Sequence, residues 1–192
     1  MSDTPNAIEA LAAHRPSPGE KYFPKFEATA ELVEEAQRLV ALYPEGKEQS
    51  AVLPIIHLCQ EKFGYISPES IPWIAEMCKS TPVHVCGIVT FYPGIHTKCP
   101  GKYHFRVCRS IACSLTGGEE LIPYICGKIG VDAASITDED PMAVSPDGLW
   151  SIEPVECLAH CGFGPNVLIN DTLYSQVTYE KIDELIAEYK NK

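Results

Sequence analysis

Nine cysteines in 192 residues, four of them in two close pairs, constrain this chain more than any other feature. Cys108 and Cys113 lie in Val107-Cys108-Arg109-Ser110-Ile111-Ala112-Cys113, a C-x4-C spacing. Cys157 and Cys161 lie in Val155-Glu156-Cys157-Leu158-Ala159-His160-Cys161-Gly162, a C-x3-C spacing. Each pair follows a run that reads as a strand, and each precedes glycines: Gly117 and Gly118, then Gly162 and Gly164. Two such loops side by side offer four thiolates to one centre, the set that a binuclear iron–sulfur cluster needs.

Disulfides explain the cysteines poorly. Residues 1–24 contain no apolar h-region, which predicts no secretory signal, and cytosolic thiols stay reduced. No run approaches the ~18 consecutive apolar residues of a membrane span. The expectation is a soluble, cytoplasmic protein without direct membrane insertion. A formal net charge of -11 argues against a nucleic-acid partner, since phosphate binding needs a basic surface.

Three rival readings of the pairs stay open on spacing alone. Structural zinc also takes four cysteines, although its usual knuckles are C-x2-C and fit these spacings less well. A dithiol oxidoreductase wants C-x-x-C at a helix start, and none occurs. Buried cysteine is common filler, but two close pairs suit that role badly. Cys59, Cys78, Cys86, Cys99 and Cys126 read as bystanders, with Cys99 the best spare ligand because it precedes Cys108 so closely. His160 reads as a hydrogen-bonding neighbour of the second pair or as a surface residue. Gly162-Phe163-Gly164 lacks the third glycine and following helix of a dinucleotide fingerprint, and no Walker A sequence occurs. A redox centre without a nucleotide site implies electron transfer to a partner.

Along the chain the hydrophobic period divides the fold. Residues 1–26 have no sustained period and read as a flexible arm. Thr29 caps a helix carrying Leu32, Val33, Ala36, Leu39, Val40 and Tyr43 on one face. A second helix is predicted from Ser50 to Phe63, stopped by Gly64. Ser67-Pro68 and Thr81-Pro82 each signal a further helix start. From residue 98 the period switches to that of strands. Tyr103 to Cys108 alternates, Leu121 to Ile129 is helical with Pro123 expected to kink it or delay its start, and Asp138 to Gly148 reads as an acidic loop. Trp150 to Val155 is a second strand, Asn170-Asp171 a hairpin turn, and Thr178 caps a last helix. The fold class is α/β, with a helical bundle over 27–97 and a compact α/β layer over 98–192.

The flanks of the four cysteines resemble a known family. C-x4-C followed by Val155-Glu156-Cys157-Leu158-x-x-Cys161-Gly162 and Pro165-x-Val167-x-Ile169-Asn170-Asp171 resembles the thioredoxin-like [2Fe–2S] ferredoxins. Within that family the chain is similar to the small iron–sulfur subunits of bacterial NADH:quinone oxidoreductase (complex I). Phe63-Gly64-Tyr65-Ile66-Ser67, Val89-Thr90-Phe91-Tyr92 and Pro100-Gly101-Lys102-Tyr103 share the likeness, which covers residues 27–190. The resemblance implies a thioredoxin-like C-terminal domain and the cluster ligands Cys108, Cys113, Cys157 and Cys161. It implies a partner flavoprotein that binds FMN, NADH and its own iron–sulfur cluster. It also implies a larger iron–sulfur subunit in the same module and a place peripheral to the inner membrane through that complex. The same unit recurs in NAD-linked hydrogenases and formate dehydrogenases. Two features depart from the family pattern: Ala159-His160 between the second pair, and Pro123.

Overall fold

The structure, a computed structural model, describes residues 16–192 apart from Glu139. It separates into two compact units, Phe23–Cys99 and Pro100–Lys192, the latter joined by Ser17–Tyr22. The expected arm is thus shortened at its C-terminal end, and residues 1–15 lie outside the described residues. Pro18–Tyr22 forms a 3-10 turn with Ser17 and Gly19 buried. A Cβ on Gly19 would sit 1.8 Å from the Pro100 carbonyl oxygen. The unperiodic sequence gives no sign of so distant a neighbour.

Among its described residues the first unit holds four α-helices. In α1 (Ala30–Val40) Thr29 accepts from the Leu32 amide at 3.2 Å, the predicted cap. A 3-10 turn, Glu48–Ala51, leads into α2 (Val52–Phe63), and Gly64 ends it in the left-handed region at φ 80°. α3 (Ser70–Met77) starts later than Ser67-Pro68 suggests, because Ser67 forms a turn whose carbonyl accepts from the Ser70 amide and hydroxyl. α4 (Pro82–Phe91) is capped by Thr81. Leu32, Ile55, Ile56, Ile74 and Val85 are among the fully buried side chains of their common core, with Cys59, Cys78 and Cys86. Desolvation holds the Cys59 thiol at about 12, so it stays neutral as packing.

The second unit is an α/β layer. β1 (Tyr103–Cys108) is followed by the short helix α5 (Ile111–Ser114), then α6 (Gly118–Ile129). β2 (Ala143–Val144), β3 (Trp150–Val155), β4 (Val167–Ile169), β5 (Thr172–Tyr174) and α7 (Tyr179–Lys190) complete it. The sheet order is β2-β3-β1-β4-β5, with β1 and β3 parallel and every other pair antiparallel. α6 packs on β1 and β3, and α7 lies beside α6. Phe105, Trp150, Ile152, Ile125, Ile182 and Leu185 form the centre of this core. The Asn170-Asp171 turn links β4 to β5, with Asn170 at φ 50°.

Two expectations change. The acidic loop contains β2, whose two residues pair with Ile152 and Ser151. α6 begins at Gly118, ahead of Pro123, so the proline does not delay it. Its start is set from outside the helix, by the close packing of Gly118 on the first cysteine loop.

Candidate metal centre

Parallel pairing of β1 with β3 is what brings the two cysteine loops together. Cys108 is the last residue of β1 and stands opposite Val155, the last residue of β3. Both loops therefore leave the same end of the sheet from adjacent strands. The Arg109 amide continues the ladder to the Val155 carbonyl at 2.9 Å, and on its other side the Cys108 amide reaches the Asn166 carbonyl at 3.1 Å.

All four predicted thiols converge here. Cys108 and Cys113 are buried and share a side-chain hydrogen bond. Cys157 and Cys161 are exposed, with their sulfurs 3.3 Å apart. Cys161 lies within electrostatic reach of both Cys108 and Cys113. The site is therefore closed on the side of the first pair and open to solvent on the side of the second. Cys59, Cys78, Cys86 and Cys99 are buried in the helical unit, and Cys126 is buried on α6.

Backbone amides and one side chain are aimed at the sulfurs. Burial raises the Cys108 thiol, but the amides of Leu158 and Ser110, the Cys113 thiol and the Ser110 hydroxyl outweigh it and hold it below the ordinary thiol value. The Leu158 amide belongs to the second loop and so ties it to the first. The Ala159 amide donates to the Cys157 sulfur at 3.3 Å, with Ala159 at φ 59°. Asn166 Nδ2 donates to the Cys113 sulfur at 3.4 Å and to the His160 carbonyl at 2.9 Å. Since that carbonyl only accepts, the amide orientation is fixed. Burial, then the hydrogen bond with Cys108, raises Cys113 despite the Asn166 donors. Cys161 is raised by its hydrogen bond to Cys157 and by the charge on its neighbours.

This arrangement fits an iron–sulfur centre. Four thiols cannot all ionise side by side without a cation among them, and donors already face sulfur where cluster thiolates would carry charge. Gly118 is part of the cradle: a Cβ there would lie 2.8 Å from the carbonyl oxygens of both Cys108 and Cys113. Gly162 has open space instead.

The cations along the chain beside the first pair are engaged with other groups. Arg106 donates to the Asn170 carbonyl at 2.6 Å, Arg109 faces Glu156 at 3.4 Å, and Lys102 lies over the Tyr103 ring. His160 stacks its ring on Phe163, with centroids 4.9 Å apart. Around the open side Ile111, Leu115 and Phe163 are large apolar residues exposed to solvent. Asn166 is the residue that sequence reasoning missed. It reads as the start of a strand, and nothing local marks it as a donor to a sulfur 53 residues earlier.

Comparison with known proteins agrees with the geometry. Residues 36–190 match the thioredoxin-like [2Fe-2S] ferredoxin family. NADH-quinone oxidoreductase subunit 2 of Thermus thermophilus is 36% identical over 148 residues, covering 77% of each chain. An NADH-quinone oxidoreductase subunit of Aquifex aeolicus is 33% identical over 165 residues, covering 86% of this chain and 97% of that one. A solved NAD+-reducing [NiFe]-hydrogenase shares the fold with a TM-score of 0.61 at 15% identity, over 73% of this chain and 22% of that one. With β1 and β3 aligned as the sheet shows and the match spanning both units, the chain belongs to the thioredoxin-like [2Fe–2S] ferredoxin family, and its cofactor is a [2Fe–2S] cluster.

Proposed function

We propose that this protein is the [2Fe–2S] electron-transfer subunit of the NADH-dehydrogenase module of an NADH:quinone oxidoreductase (complex I). Cys108, Cys113, Cys157 and Cys161 are its ligands, and the partner is the FMN- and NADH-binding flavoprotein subunit with its own iron–sulfur cluster. A larger iron–sulfur subunit completes the module. The observation that carries this reading is the convergence of four thiols with only the second pair at the surface. When bound, the cluster supplies a site that takes up and gives back one electron.

The chain's own residues do the rest. The Leu158, Ser110 and Ala159 amides and Asn166 Nδ2 offset negative charge at the sulfurs. Gly118 lets the first loop close without a clash. Ile111, Leu115 and Phe163 give the open side an apolar rim that a flavoprotein surface can cover, excluding water where the electron crosses. The subunit alone has no turnover of NADH.

The hydrogenase likeness favours one second reading, the equivalent subunit of an NAD-linked hydrogenase. Isolation of the chain with its co-purifying subunits separates the two by the identity of those subunits. The purified chain should contain two irons and two sulfides and give a rhombic EPR signal on reduction. Cys157→Ser should abolish that signal while the chain still associates. Zinc as the sole metal, with no iron at any stage, would sink the reading in favour of a structural adaptor.

A further inference from the structure

The two cysteine loops also meet away from their sulfurs. Thr116 stands three residues after Cys113, and Gly164 three residues after Cys161. The Thr116 hydroxyl donates to the Ala112 carbonyl at 3.1 Å and to the Cys113 carbonyl at 3.0 Å. Such back-bonding is ordinary at the end of a helical turn. The close approach of Gly164 to that hydroxyl is not. A Cβ on Gly164 would lie 2.6 Å from Thr116 Oγ1, with the Ala112 carbonyl oxygen and Cys113 Cα next at 3.4 and 3.5 Å. Gly164 is at φ -66° and ψ 159°, a conformation open to any residue, so its backbone does not call for glycine. Its neighbour does. Neither side can step back freely. A β-branched threonine has few rotamers, and turning the hydroxyl away breaks both of its hydrogen bonds. On either side of Gly164 along the chain, the Phe163 carbonyl accepts from the Gln176 amide at 2.9 Å and the Pro165 carbonyl from the Val177 amide at 3.1 Å.

We propose that Thr116 is a positioning residue whose hydroxyl is the stop against which Gly164 sets the distance between the two cysteine loops, and that this distance tunes the reduction potential of the cluster. The inference rests on the reading of Cys108, Cys113, Cys157 and Cys161 as ligands of one cluster. Two hydrogen bonds draw the loops together at the sulfurs, from the Leu158 amide to Cys108 and from Asn166 Nδ2 to Cys113. Asn166 lies two residues past Gly164 and also holds the His160 carbonyl, so it moves with the second loop. Thr116 against Gly164 is the repulsive contact that limits this approach. A wider gap lengthens the bonds that span it. Hydrogen bonds to sulfur favour the reduced, more negatively charged cluster, so weakening them lowers its potential.

The test uses the full chain with its cluster, compared at equal iron and sulfide per chain. Gly164→Ala should lower the midpoint potential and shift the EPR g values. Adding Thr116→Ala removes the oxygen that the new methyl meets, so the double variant should return both readouts toward those of the parent. Thr116→Ser keeps the hydroxyl and should match the parent. So should Gly162→Ala, since a Cβ there meets nothing within 4 Å. A purely structural contact would change stability in urea and leave the potential and g values in place, and that result overturns the proposal. A double variant as displaced as Gly164→Ala overturns it too, as does a Thr116→Ser or Gly162→Ala chain that shifts as far. If Gly164→Ala holds no cluster, recovery of iron in the double variant supports the proposal and its absence overturns it. A parent chain that never holds iron defeats the cluster reading and the proposal with it, and metal content shows this before any variant is compared.

Discussion

Gly118 and Gly162 each follow a cysteine pair, and sequence alone treats them alike, yet they face opposite surroundings. At Gly118 a methyl group would press on two backbone carbonyls, those of Cys108 and Cys113, and backbone does not yield as a side-chain tip does. Gly118→Ala should therefore lower cluster occupancy sharply, measured as iron per chain, whereas Gly162→Ala should leave it unchanged. Asn166 makes a second case. Hydrogen bonds to sulfur favour the more negatively charged, reduced cluster, so Asn166→Leu should shift the midpoint potential downward in an EPR-monitored titration. The stability cost should be about 1–3 kcal/mol for two lost hydrogen bonds, eased because the buried, unpaired Asn166 Oδ1 leaves with them. That the two cysteine pairs come together was legible because residue type and spacing carry it. Asn166 was not, because its role depends on where β4 lies beside β1, and no local pattern records that.

Elements that carry their own signals follow the sequence reading closely. Thr29, Thr81 and Thr178 each cap a helix through the predicted hydroxyl. Thr178→Ala should lower stability by about 1 kcal/mol in a urea titration, because the Lys181 amide loses its acceptor. Elements that exist only through a neighbour were not legible: β2 is two residues held by β3, and α5 is a single turn. The strand alternation also conceals polar groups under the sheet. His104 on β1 and Ser151 and Glu153 on β3 are buried, with Nδ1 2.8 Å from Ser151 Oγ and Nε2 3.3 Å from Glu153 Oε2. Desolvation first, then the charge of Arg106, pushes His104 down to about 3, so the contact with Glu153 is a hydrogen bond of a neutral ring, not an ion pair. A base with a depressed folded-state pKa binds more protons unfolded, so this contribution is fully present above about 6.5 and is lost as pH falls toward about 3. Between pH 6.5 and 5 the loss should reach about 1–2 kcal/mol. His104→Gln should flatten that dependence in urea titrations at the two pH values. An unchanged slope would show that His104 does not cause it.

At the scale of the whole molecule, the two units have different sources of order. The helical unit has its own closed core of aliphatic side chains and inert, buried cysteines. The α/β unit has its own core under the sheet, but the loops beyond β1 and β3 lie above that core and carry few apolar contacts. In those loops order comes from sulfur: thiols, the amides aimed at them, and the Asn166 bridge. Binding energy from a group that needs the folded thiol arrangement is also folding energy for the segments that supply the thiols. Removing the cluster with a chelator under reducing conditions should therefore loosen the molecule unevenly. Amide hydrogen exchange should rise most in residues 109–118 and 156–166, less at the ends of β1 and β3, and least in α1–α4. A uniform rise across both units would mean that the centre supports the whole fold. No rise at all would mean that these loops are held without it, and Cys157→Ser, which weakens the site by a different route, should then leave the exchange pattern equally untouched.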